Sequence, residues 1–275
     1  MKKIAKKAAG ILVLSTALAL PSNSSAGEND YMYKTAGVNI CLNGLISGIG
    51  SKLHGQGFWN GFRKGSLAGG IMYAGKYAGY NGADKPLVPL AGKAIHALGT
   101  SMRDNTYFGQ PLFSNYTIDL GPVELSFDKN KGLDARAVST SLAGMAYSLS
   151  KHGRLDAERT LNSGNLVFLT DSDDYIDRFY DGTTIGNTVL LNNYGMDRHT
   201  FGHELVHTAQ DKELGLLDAI VNSKLSKKKN WFTSISDKLT LPRLTASAIF
   251  APLNDKNYNS SPIEIEAEYG YAKAE

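Results

Sequence analysis

A chain of 275 residues, one fifth of them charged, can bury a full core without covalent staples, and its single cysteine excludes an intramolecular disulfide. That cysteine, Cys41, has no histidine motif around it and reads as a buried apolar thiol. The formal charge of +3 comes from Lys2, Lys3, Lys6 and Lys7. Without residues 1–26 the 29 basic groups fall to 25 against 26 acids, which gives a nucleic-acid partner no electrostatic support.

Residues 1–26 combine those lysines with the apolar run 11–20 and Ser24-Ser25-Ala26, the pattern of a secretory signal peptide. Export, to a periplasm or to the medium, is therefore expected. Residues 27–110 form a Gly-rich helical region. Thirteen glycines fall within residues 36–82, and Gly57, Gly61, Gly65 and Gly69 recur every fourth position, with Gly44/Gly48 and Gly75/Gly79 repeating the spacing. On helices this clears one face for close backbone approach. The reading is a tightly packed helical hairpin, with membrane contact as the second use of such a face. Arg63, Lys64 and Lys76 argue against an ordinary transmembrane helix. In composition the stretch resembles the segments that precede toxin tips in bacterial polymorphic toxins, which implies a membrane-interacting effector as an alternative function.

Pro86, Pro89 and Pro111 mark a connecting region with one short helix at 90–98. Residues 111–275 form the second unit. Residues 116–120 and 123–127 flank Gly121-Pro122 and read as two strands, and 135–150 as an amphipathic helix with Val138, Leu142, Met145, Ala146 and Leu149 on its apolar stripe. Residues 165–170 and 187–191 are short apolar runs, hence strands. A helix at 197–212 with Asp197 as cap, a continuation at 211–225, an apolar helix at 241–250, a polar loop at 254–261 and a last helix from Pro262 to about 272 complete an α+β fold. Lys224, Lys227, Lys228 and Lys229 read as a solvated helix end.

The 197–212 helix carries His203-Glu204-Leu205-Val206-His207. Two histidines four apart project from one face, and Glu204 lies about 60° around the helix from His207, so two imidazole ligands and an adjacent base surround one point. Composition alone would produce about 0.004 such matches in a chain of this length. Phe201 and Leu205 occupy the opposite face and anchor it in a core. A catalytic zinc ion needs a third protein ligand, and the carboxylates available are Glu264, Glu266 and Glu268 in the last helix and Glu213 beyond the motif.

With Glu264-Ile265-Glu266-Ala267-Glu268 following His203-Glu204-Leu205-Val206-His207, residues 187–272 resemble the gluzincin group of zinc metallopeptidases, in which a later helix supplies a Glu ligand in the pattern E-x-x-A-D. The resemblance implies a zincin-like domain with a small mixed sheet, His203, His207 and Glu264 as zinc ligands, and Glu204 as general base. Glu268 stands where the family has Asp and is placed to orient a ligand histidine. Three other readings stay open. Ser261-Pro262-Ile263-Glu264 also spells a capping box; Glu266 before Tyr269-Gly270 echoes the aspzincin motif; Glu213 holds the third-ligand position of the metzincin pattern, although Gln210 replaces its turn glycine.

The expected activity is hydrolysis of peptide bonds in a protein or peptide substrate by zinc-activated water, with no nucleic-acid partner. His199, Tyr194, Tyr269 and Tyr271 are the candidates for stabilising an oxyanion. The strand at 187–191 is either the edge along which an extended peptide pairs or an ordinary interior strand. A zinc-stabilised binding protein without turnover is the remaining alternative.

Overall fold

The computed structural model describes residues 28–171, 181–193, 197–225, 239–240, 262–269 and 271. The segment at 1–26, the apolar run at 241–250, the loop at 254–261 and most of the lysine cluster lie outside the described residues. So does Tyr194.

Three long helices come first: α1 (Glu28–Leu53), α2 (Phe58–Asn81) and α3 (Val88–Tyr107). The glycine spacing has the expected consequence. A Cβ on Gly65 would stand 2.3 Å from the Asn43 carbonyl oxygen, and one on Gly69 2.3 Å from that of Asn39, so α1 and α2 touch backbone to backbone. Gly75 does the same against α3, where a Cβ would meet the His96 nitrogen at 2.4 Å. Helix α3 is twice as long as the apolar run at 90–98 suggests. Its later turns bury polar side chains, among them Thr100, Ser101, Arg103, Asn105 and Thr106, so hydropathy hides their burial. Cys41 is exposed, not buried, on the outward side of α1 next to the exposed Ile40.

An antiparallel meander follows, β1 (Asn115–Leu120), β2 (Val123–Asp128) and β3 (Gly132–Ala137), with Gly121 at φ +54° in the first turn. The third strand takes residues 135–137 from the expected helix, because Ala135 pairs with Leu125 and Ala137 with Val123. The helix proper is α4 (Ser139–Ser150), and its buried face is rotated from the expected stripe. Of that stripe Val138 is buried and Met145 packs on the second sheet, but Leu142 and Leu149 are exposed, whereas Ser139, Thr140, Ser141, Gly144 and Ser148 are buried. Small side chains allow the approach: a Cβ on Gly144 would lie 2.5 Å from the Ile185 carbonyl oxygen, and the Ser141 hydroxyl accepts from the Asn187 N–H at 2.9 Å.

The second sheet has the order β4-β5-β7-β6, built from β4 (Arg154–Leu155), β5 (Leu166–Thr170), β6 (Gly182–Ile185) and β7 (Thr188–Asn192), with α5 (Ala157–Ser163) between β4 and β5. Strands β5 and β7 are parallel; β4 and β6 run antiparallel to them. The strand expected at 187–191 is therefore interior, and among the described residues β6 is the edge beside it and β4 the other edge. Val167, Val189 and Leu191 face Phe201 and Leu205 of α6 (Arg198–Glu213), while Phe168 and Leu190 face Met145 of α4, so alternation along the strands fills two cores. Helix α7 (Gly215–Leu225) and helix α8 (Pro262–Tyr269) complete the described fold, which is mixed α+β. No helix among the described residues is long and apolar enough to cross a membrane.

Candidate metal centre

Helix α6 starts where Asp197 leaves extended backbone and accepts from the Thr200 N–H at 2.7 Å, satisfying one of the orphan donors of the first turn. With Phe201 and Leu205 fixed in the sheet core, His203 and His207 project from the other side toward α8. There Ala267 and Tyr271 pack on Val206 and Tyr80, which sets α8 against α6.

Three ligand-type atoms converge. His203 Nε2 and His207 Nε2 are 2.9 Å apart, and Glu264 Oε2 lies 3.3 Å from the first and 3.2 Å from the second. Among the described residues, this is the group of His, Cys, Asp and Glu whose ligand atoms all fall within 4.8 Å of one another. Atoms bound tetrahedrally to zinc at about 2.0–2.1 Å stand about 3.3–3.4 Å from one another, so the triangle is close to the size required. No family model, curated protein or solved structure matches the chain.

The hydrogen bonds behind the imidazoles decide what the triangle offers. His203 Nδ1 lies 3.2 Å from Glu268 Oε2, a carboxylate that can only accept. His207 Nδ1 lies 2.7 Å from Gln210 Oε1. The Gln210 amide is oriented in turn, because its Nε2 donates to the Ile263 carbonyl at 3.1 Å and to Glu266 Oε2 at 2.9 Å. Both Nδ1 atoms therefore donate, and in neutral imidazoles both Nε2 lone pairs face each other and a carboxylate. Such an arrangement repels itself unless a cation sits among the three atoms.

The ionisation tendencies express the same demand for positive charge. Burial alone would lower His203, but hydrogen bonds to Glu264 and Glu268 raise it to about 10, and His207 is likewise raised against burial by Glu264 and Glu204. Burial would raise the Glu264 carboxyl, yet the two imidazoles facing it hold it well below the ordinary carboxylate range.

Glu204 is buried beneath the edge of the second sheet. The Thr184 hydroxyl of β6 donates to Glu204 Oε2 at 2.7 Å, and Gly182 leaves the space the side chain fills, since a Cβ there would come within 2.7 Å of Oε1. Sequence reasoning missed both partners. Neither Thr184 nor Gly182 lies near the motif in sequence, and only the β6–β7 pairing brings them there.

The rival carboxylates are engaged elsewhere. Glu213 Oε1 sits 2.8 Å from Lys76 Nζ and 3.2 Å from His96 Nε2. Glu266 Oε1 accepts from Lys76 Nζ at 2.5 Å, from Asn39 Nδ2 at 3.0 Å and from the Tyr271 hydroxyl at 2.5 Å. Burial disfavours the charge on Lys76, but Glu213 and Glu266 outweigh it and raise its pKa. Glu266 thus reaches the metal triangle only through Gln210. Of the oxyanion candidates, Tyr271 is buried with its hydroxyl on Glu266, and His199 stands 3.8 Å from Glu268 and edge-on to Tyr80. The side chain of Tyr269 lies outside the described residues. Gln210 could have been found from sequence, because it stands one helical turn beyond His207 on the same face.

Proposed function

We propose that the chain is an exported zinc metallopeptidase with a zincin-like site in which His203, His207 and Glu264 hold the metal. The observation that carries this reading is the convergence of two Nε2 lone pairs and a buried carboxylate at 2.9–3.3 Å, each imidazole locked from behind by an acceptor. Hard and borderline donors of this kind, two nitrogens and one oxygen, suit zinc and leave a fourth position open. Bound there, the ion supplies a water of pKa about 7 and Lewis acidity toward a carbonyl oxygen.

The chain's own groups do the rest. Glu268 and Gln210 fix the imidazole tautomers, so that ring nitrogens rather than N–H groups point inward. Glu204 takes the proton of the attacking water and passes it to the leaving amine nitrogen. Thr184 holds that carboxylate in place by donating to Oε2. Because Gly182 and Thr184 of the edge strand touch Glu204, a substrate chain pairing along β6 in extended form would carry its peptide bonds past the base.

The test is cleavage of a peptide library by the zinc-loaded protein and by Glu204→Gln. Loss of turnover by at least about a hundredfold with zinc retained is the expected outcome for a general base. Equal turnover in the variant would remove Glu204 from the mechanism, and absence of cleavage by the zinc-loaded parent would leave a zinc-binding protein without peptidase activity.

A further inference from the structure

From Tyr31 to Ala83 the sequence contains no Asp or Glu, while Lys34, Lys52, Arg63, Lys64 and Lys76 fall within it. Lys76 is buried against Glu213 and Glu266 and adds nothing to the surface, but Lys52 and Arg63 are exposed and Lys64 partly so. The same end of the α1–α2 hairpin exposes large apolar side chains: Trp59 at 68%, Leu53 at 56% and Leu67 at 55%. Trp59, Arg63 and Leu67 follow one another every fourth residue and so form a single stripe along α2.

The aromatic rings are arranged as a ridge. Trp59 packs on Phe58 and Phe62 with centroids 5.2 and 5.8 Å away, and Phe58 and Phe62 lie over Gly48 and Gly44 of α1, where added Cβ atoms would come 2.8 and 3.0 Å from the rings. Gly50, by contrast, abuts Tyr107 of α3. Two residues are about 200° apart on a helix, so the ridge above Gly48 faces away from α3 and from the body of the molecule.

We propose that this face of the hairpin docks in the plane of an anionic lipid surface, with Trp59 and Leu67 at the boundary of headgroups and acyl chains and Lys52, Arg63 and Lys64 on lipid phosphates. Charge selects this occupant. A second copy of the chain would present an equally positive hairpin and repel it, and a nucleic acid would leave the exposed leucines without a role. The contact is interfacial, because no described helix can span the bilayer. Trp at the tip and basic side chains with long apolar stems suit the headgroup layer. Lipid docking by this surface does not depend on the chemistry of the metal centre.

The experiment is co-sedimentation of the full chain with vesicles of phosphatidylcholine alone or with one-third phosphatidylglycerol, alongside Arg63→Glu/Lys64→Glu and Trp59→Ser/Leu67→Ser. Residues 1–26, with Lys2, Lys3, Lys6 and Lys7, are common to parent and variants, so the decisive comparison is parent against variant on the same vesicles. The parent should bind the anionic vesicles at least about tenfold more tightly than the neutral ones, and the charge variant and the apolar variant should each bind the anionic vesicles at least about tenfold more weakly than the parent. In a Trp231→Phe background the emission of Trp59 should shift to the blue on anionic vesicles. Equal binding to both vesicles, variants that bind as the parent does, or an emission shift that tracks protein concentration without lipid would overturn the proposal. Trp59→Ser alone replaces the double variant should its urea midpoint differ from the parent's.

Discussion

The orientation of the Gln210 amide determines which nitrogen of His207 is available inward. Its Nε2 is committed to Ile263 and Glu266, leaving Oε1 for the imidazole N–H. Gln210→Leu removes that acceptor and frees the ring to turn or to tautomerise, so zinc affinity measured by competition with a chelator is expected to fall about 10–100-fold. Glu268→Ala should do the same through His203. Affinity unchanged in both variants would show that the imidazoles are oriented by packing alone.

At the scale of elements, two kinds of glycine can be separated. Gly65 faces backbone of the neighbouring helix, so Gly65→Ala must push α1 and α2 apart and is expected to cost about 1–3 kcal/mol in urea denaturation. Gly37, within α1 with nothing inside 4 Å of its absent Cβ, should instead gain about 0.5–1 kcal/mol on replacement by alanine. Helix α6 offers a third comparison through its cap. The Thr200 N–H holds the Asp197 carboxyl below its ordinary range, so the cap contributes above the carboxyl range of the unfolded chain and is lost as pH falls through the lower folded value. Asp197→Ala should therefore cost about 1 kcal/mol at neutral pH and progressively less in acid. A cost independent of pH would assign the effect to something other than the cap.

These elements also show what the sequence discloses. Period, caps and turn residues are enough for the α1–α2 packing, the paired strands β1 and β2, helix α6 with its Asp197 cap and the anchored face of Phe201 and Leu205. In helix α4 the apolar stripe locates Val138 and Met145 but not the Ser, Thr and Gly face that close approach to β6 and β7 selects over Leu142 and Leu149. The interior place of β7, the edge place of β6 and the partners of Glu204 depend on strand order, which no local pattern encodes. In the centre itself, a motif could name His203 and His207, but Glu264, Glu266 and Glu213 are equivalent as letters. What separates them is Lys76, which occupies two of the three from a distant helix.

That lysine gives the molecule its larger organisation. Residues 27–110 do not stand apart from the rest: Asn39 and Lys76 bond Glu266 of α8, Asn81 Nδ2 donates to the Tyr271 carbonyl at 2.9 Å, and Arg103 Nη2 donates to the Glu213 carbonyl at 3.0 Å. On the other side, Lys212 at the end of α6 pairs with Asp119 and Glu124 of the meander at 2.8 and 2.7 Å. The Gly-rich helices thus brace α6 and α8 from behind. Lys76→Met leaves Glu213 and Glu266, both partly buried, without their cation and should cost about 3–5 kcal/mol in stability. Zinc affinity should fall with it, because Glu266 orients Gln210.

In the proposed centre Glu264, and neither Glu213 nor Glu266, completes a zinc site with His203 and His207. Zinc stoichiometry by elemental analysis of the parent and of Glu264→Ala, Glu213→Ala and Glu266→Ala, each first shown to be folded, addresses it directly. One zinc per chain is expected in the parent, with occupancy lost in Glu264→Ala and retained in Glu213→Ala and Glu266→Ala, the latter at reduced affinity. Full occupancy at unchanged affinity in Glu264→Ala would contradict the assignment.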